Sequence, residues 1–272
     1  MIQVINNIIS FRELLAVLAW KNIVVRYKQA YLGLAWTMLK PLMLMMIFTL
    51  VKSFVGIDSG DIPYPILTFA ALMPWVFFQE ATAESINSVV SNAMLIRKIY
   101  FPREILPLTA VLTKLVELCI NFLILAGLMI YYQMAPTIYV LWVPFIILYT
   151  IVVSLCISLV GAAMNVYYRD VTTALPVALS LLMYASPVIY PLSLVEKTLL
   201  IDQAAGEWSN ILYTIYTLNP LAGIIDAFQR ALLQGRSPDF FTLWPGMALT
   251  AIFLPISYLI FKRAEAYFAD VI

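Results

Sequence analysis

Long apolar runs alternate with short polar breaks along most of this chain. Six runs reach the roughly 20 residues that a helix rising about 1.5 Å per residue needs to cross a hydrocarbon core. They fall at roughly 33–56, 64–90, 105–132, 140–165, 172–193 and 241–261. Pro41, Pro74, Pro107, Pro144, Pro176, Pro187 and Pro255 lie inside these runs or at their ends. Membrane helices tolerate such breaks where neighbouring groups re-satisfy the freed backbone. A further apolar stretch, 208–235, is divided by Asn219-Pro220 into pieces of roughly 11 and 14 residues, each too short to cross about 30 Å. It reads as two short helices that dip into the membrane from the outer face and return. Broken backbone at that depth persists only when buried in protein or lining a wet cavity, so Asn219 and Pro220 mark a gate. Ser10-Phe-Arg-Glu13 fits a capping box and predicts a helix over about 11–30. Its apolar positions form no single stripe, and its place before the first span puts it along the cytoplasmic interface.

The pattern predicts an all-α membrane protein with six transmembrane helices, an N-terminal interfacial helix and an outer re-entrant pair between spans five and six. Residues 1–272 form one transmembrane domain: an interfacial segment at 1–32, spans one to five over 33–193, an outer loop with the re-entrant helices at 194–240, and span six with a cytoplasmic tail at 241–272.

Composition agrees with that class. Hydrophobic residues are 63% of the chain and charged ones 11%, whereas soluble domains carry about 25% charge. Basic residues are uneven across the loops. Eleven (Arg12, Lys21, Arg26, Lys28, Lys40, Arg97, Lys98, Arg103, Arg169, Lys262 and Arg263) fall on one side and four on the other, with Lys114 inside a span. The positive-inside rule then places both termini in the cytoplasm. A net charge of +1 leaves no footprint for nucleic acid. The chain has no His, which removes the commonest metal ligand and proton shuttle. Cys119 and Cys156 lie in apolar runs and read as small core residues.

Four charges lie within spans, where each is costly and often functional. Glu80 and Glu84 are one helical turn apart on span two; Lys114 and Glu117 are i,i+3 neighbours on span three and form a natural self-neutralising pair. Glu80 is a candidate for the lining of a conduit. Trp75, Phe77 and Phe78 lie near mid-membrane, where an interfacial aromatic belt does not explain them. Their rings would suit either helix packing or stacking on sugar faces. Tyr131, Tyr132, Tyr139 and Trp142 sit at an outer boundary and read as belt residues.

Several segments have the look of one known family. Val25-Arg-Tyr-Lys-Gln-Ala-Tyr-Leu-Gly-Leu-Ala-Trp36 with Lys40-Pro41-Leu42 resembles the start of the polysaccharide (O-antigen type) ABC exporter permeases. Leu95-Ile-Arg-Lys-Ile-Tyr-Phe-Pro-Arg-Glu104 with Leu106-Pro107 is similar to that family's loop between spans two and three. Asn165-Val-Tyr-Tyr-Arg-Asp170 is similar to its loop between spans four and five. Ser186-Pro-Val-Ile-Tyr190 and Asn219-Pro220-Leu221 match its fifth span and re-entrant region. The resemblance covers nearly the whole chain, with the motifs in order.

The resemblance implies a homodimer of permeases joined to two copies of an ATP-binding cassette subunit in the bacterial cytoplasmic (inner) membrane. It implies that a lipid-linked glycan crosses through the dimer, and that ATP and Mg act in the partner subunit with no cofactor in this chain. No G-x-x-x-x-G-K-[ST] loop exists among the nine glycines, so a phosphate cradle must lie elsewhere. The resemblance also implies that residues 92–104 dock on the ATPase through Arg97, Lys98 and Arg103, with Arg169-Asp170 as a lesser contact. Positive-inside bias would account for the first three equally, and a local ion pair for the last two. Arg26 and Lys28 are candidates for receiving the substrate's phosphates or an anionic lipid, because Arg meets phosphate oxygens with a planar fork. Other readings are a drug or lipid exporter of the same architecture, an ion-coupled carrier working through Glu80 and Glu84, and an intramembrane glycan polymerase, for which the loops offer no substantial catalytic site.

Overall fold

The computed structural model describes residues 9–28, 33, 35–56 and 62–271. Among them every regular element is helical. The amphipathic N-terminal helix α1 runs Arg12–Tyr27 and lies against the third span. Its N-cap is Phe11 with no side-chain cap hydrogen bond, because Ile9 and Ser10 already lie in a preceding helical turn. The Ser10–Glu13 capping box is therefore not formed. Residues 29–30, which the expected helix took in, lie outside the described residues.

Helices α2 (Ala35–Val55), α3 (Tyr64–Ser91), α5 (Ile105–Tyr131), α6 (Val143–Tyr167, entered through a 3-10 turn at Ile138–Trp142) and α11 (Phe240–Glu265) are long and apolar enough to span. A short helix α4 (Ala93–Lys98) joins α3 to α5. Central in the bundle is α3, buried along most of its length and packed by α2, α5 and α6. Its polar positions are satisfied inside: Thr82 and Ser154 hydroxyls meet at 3.1 Å, and Ser85 donates to the Pro107 carbonyl at 2.9 Å. Buried hydroxyls of this kind join helices where lipid offers no partner.

Trp75 and Phe78 have no exposed surface, and Phe77 has almost none. These rings pack inside the protomer, which corrects the expectation that they line a conduit. Cys156 is buried as expected, whereas Cys119 is exposed on the outside of α5.

The expected fifth span differs from its sequence pattern. Helix α7 covers only Val171–Tyr184, 14 residues, or about 21 Å. The chain continues as irregular backbone through Ser186, Pro187 and Val188, all buried. Pro187 and Pro191 cannot donate to a continuing helix, and the irregular turn is held by other elements. Asn219 donates to the Ser186 hydroxyl at 2.9 Å and to the Ala185 carbonyl at 3.3 Å, and the Tyr64 hydroxyl donates to the Ile189 carbonyl.

After a short helix α8 (Leu192–Glu196), helices α9 (Ser209–Leu218) and α10 (Pro220–Gln229, extended by a π-helical turn to Gln234) form the interrupted segment. They bend by 79° at Asn219, so the two pieces do not form one straight helix. Asn219 caps α10 by accepting from the Leu221 amide at 3.1 Å, and Pro220 occupies the first helical turn, where its missing N–H costs nothing. A last turn, α12 (Phe268–Val271), follows α11 and packs on α4.

Candidate functional site

Four helices meet toward one end of the bundle through six charges. Arg26, in the last turn of α1, gives Nη1 to Glu117 at 2.6 Å and Nη2 to Glu84. Lys114 on α5 lies 2.6 Å from Glu80, 2.9 Å from Glu117 and 3.8 Å from Glu84. Lys40 on α2 pairs with the other oxygen of Glu80 at 2.6 Å, and the Tyr27 hydroxyl donates to Glu117 at 2.9 Å. The Lys114–Glu117 pair was legible from i,i+3 spacing; the rest was not. Three cations meet three carboxylates, so the network is neutral. Burial alone would lower the Arg26 pKa, but Glu84 and then Glu117 hold it above its ordinary value. Burial first and Glu117 second push the Tyr27 phenol up. Arg26 stays charged and Tyr27 stays a donor.

The network has an open side. Between α1 and α2 lies a cavity of about 320 Å³ lined by Arg26, Tyr27, Trp36, Lys40 and Glu80, among others. Cations and aromatic rings around one opening suit a phosphate bearing sugars. Lys28 is not part of that lining: it is exposed and makes no ion pair with another described residue. Glu80 and Glu84, the carboxylates that an ion-coupled carrier would use, are each held by two cations.

A second charged group ties the loop after α4 to the end of α11. Lys262 pairs with Glu104 and Glu265, each at 2.6 Å, and the Arg103 amide donates to Glu265 at 2.9 Å. Phe101, Phe261 and Phe268 are buried beneath in one apolar cluster. Met94, Arg97, Lys98, Ile99 and Tyr100 stand exposed at the surface above it. Arg169 and Asp170 are also exposed, and no ion pair joins them. Sequence reading missed Glu104, Lys262 and Glu265; the signal was a charge on each side of an interface whose partner lay 158 residues away.

At the opposite end, Gly223 and Gly246 let α10 and α11 touch backbone to backbone. Asp226 and Arg230 pair at 2.6 Å on the same segment, and Arg230 reaches Asp239 at 3.8 Å.

The class is that of a multi-pass helical membrane protein, with a cluster of ion pairs toward one end of the bundle and a broken helix at the other. The family described as ABC-2 type transporter matches residues 13–233, and the chain belongs to it. Over 271 residues it is 27% identical to the O-antigen export system permease protein RfbA of Myxococcus xanthus, covering 99% of each chain. Two Klebsiella pneumoniae proteins of the same name are each 25% identical over 96% of this chain and 95% of their own.

Proposed function

We propose that this chain is the permease subunit of an ATP-driven exporter that moves a lipid-linked, O-antigen-like polysaccharide across the bacterial inner membrane. The observation that carries the reading is the near end-to-end similarity to proteins named as O-antigen export permeases. A partner ATP-binding cassette subunit, in two copies, hydrolyses ATP with Mg. Its dock is the exposed surface of Met94, Arg97, Lys98 and Tyr100 beside Arg103, with Arg169 and Asp170 as a lesser contact. Residues 1–272 act as one transmembrane unit with both termini cytoplasmic. Two copies assemble: α2 and α7 are apolar helices largely uncovered by the rest of the protomer, which leaves faces for a second copy and a channel between them. Substrate enters at the inner boundary through the Arg26–Trp36–Lys40 cavity, with Lys28 at its approach, and leaves past the Asn219-Pro220 gate. Glu80 borders the start of that path.

The test is complementation of a bacterium that lacks its own O-antigen permease, with the cognate ATPase supplied. The chain restores surface polysaccharide. Arg97→Ala, Lys98→Ala and Arg103→Ala combined leave it in the membrane but cut export by about tenfold or more, the effect of losing roughly 1.4 kcal/mol of docking energy. Lipid-linked glycan then accumulates on the cytoplasmic side. Undiminished export would return those charges to topology alone, and efflux of drugs without glycan export would overturn the substrate.

A further inference from the structure

Arg26 also borders a second cavity, on the far side of the charge network from Trp36. It holds about 420 Å³ between α1, the cytoplasmic end of α3 and the start of α5, and its wall includes Lys21, Asn22, Arg26, Glu84, Ser91 and Asn92. We propose that this cavity is a resident-lipid site, which takes the polyol phosphodiester headgroup of an anionic membrane phospholipid of the phosphatidylglycerol kind.

The first ground is the set of groups left unused. The side chains of Lys21 and Asn22 make no hydrogen bond or ion pair with another described residue. Arg26 spends Nη1 and Nη2 on carboxylates and keeps its Nε–H. Glu84 uses one oxygen, Oε2, and Asn92 donates through Nδ2 to the Ser88 carbonyl at 2.8 Å, so each retains an oxygen. Donors and acceptors therefore line the same space, as a ligand carrying both phosphate oxygens and hydroxyls requires.

The second ground is charge. The six-charge network is neutral, so Lys21 is the added charge at this cavity and a monoanion balances it. A phosphomonoester would bring a second negative charge and set bare oxygens against Glu84 and Asn92. A headgroup carrying its own ammonium would set that cation against Lys21 and Arg26.

The third ground is depth. Val17, Trp20 and Val25 on α1 are exposed, the pattern of a helix with its apolar residues in the interface and its cations at headgroup level. Lys21 carries its ammonium on a long apolar stem, which reaches that level readily. Asn92 is the N-cap position of α4, so a bound headgroup bridges α1 to the start of the 92–104 segment, whose residues 97–100 are exposed. This site is independent of what is exported.

The test uses the purified full-length chain in nanodiscs of phosphatidylcholine with equal charge fractions of phosphatidylglycerol, phosphatidylserine or phosphatidic acid. Native mass spectrometry counts retained lipid, and thermal unfolding reads protection. Phosphatidylglycerol is retained preferentially and protects most. Lys21→Gln weakens that retention about tenfold, the loss of one charge-assisted contact. Arg12→Gln removes the same charge from the same helix outside the cavity and leaves retention unchanged. Equal retention of all three anionic lipids, or equal loss in both variants, would overturn the proposal in favour of surface charge. Equal protection by soluble phosphoglycerol in a phosphatidylcholine disc would overturn the lipid as its source.

Discussion

Lys114→Met is expected to be the most destabilising single substitution in the charged half of the bundle. Its side chain is 10% exposed and stands among Glu80, Glu117 and Glu84 at 2.6, 2.9 and 3.8 Å. Methionine fills the same space but leaves three carboxylates facing two cations. Removing one partner of a buried ion pair costs about 3–5 kcal/mol, because the remaining charge is uncompensated in a low dielectric. Thermal unfolding in nanodiscs should show a large fall in midpoint. Lys114→Met combined with Glu117→Gln restores neutrality, so the double variant should recover much of the loss although it lacks more hydrogen bonds. Such non-additivity is expected of groups in one network. Lys40→Gln should cost less, since that side chain is 44% exposed and water screens its pair. An unchanged midpoint for Lys114→Met would remove the network from the forces that hold α1, α2, α3 and α5 together.

The second large effect belongs to Gly246. A Cβ there would lie 2.6 Å from the Pro220 Cα and 3.1 Å from the Tyr149 hydroxyl. The obstacle is backbone, which no rotamer change can move aside, so Gly246→Ala must separate α11 from α10 at the Asn219 bend. Overpacking of this kind costs about 1–3 kcal/mol. Gly223→Ala meets the Thr242 carbonyl at 2.7 Å and should act alike. Both should impair export more than their stability loss explains, because the displaced element carries the proposed Asn219-Pro220 gate. Gly161→Ala meets the Ile86 side chain, with Cγ1 at 2.6 Å, and should be milder because a side chain can shift where backbone cannot, while Gly127→Ala meets nothing within 4 Å and should be silent. Equal effects from Gly246→Ala and Gly127→Ala would show that the α10–α11 contact has no special part.

Much of the fold was legible because span length and proline placement are local signals. The edges of α3, α5 and α11 fall close to their apolar runs. The end of α7 at Tyr184 was not legible, since 185–190 is apolar enough to pass for helix and its irregular path depends on Asn219 and Tyr64, distant in sequence. The charge network was half legible. Glu80, Glu84 and Glu117 against Lys114 leave two negative charges over, which demands two more cations, but only the fold shows that Arg26 and Lys40 supply them. The buried rings Trp75 and Phe78 show the limit of reading a position along a span without its direction: which way each faced required the packed bundle. Gly223 and Gly246 carried no sequence signal, because a glycine in an apolar run looks the same whether its neighbour is lipid or backbone.

ATP-driven movement of a lipid-linked glycan is tested most directly by reconstitution. The chain and its cognate ATP-binding subunit are placed in proteoliposomes with lipid-linked O-antigen, and glycan delivered to the far side is counted with an impermeant lectin. Delivery that requires ATP, Mg and both proteins, and that ignores ion gradients, is the expected result. Delivery by this chain alone, or driven by an ion gradient without ATP, would contradict it.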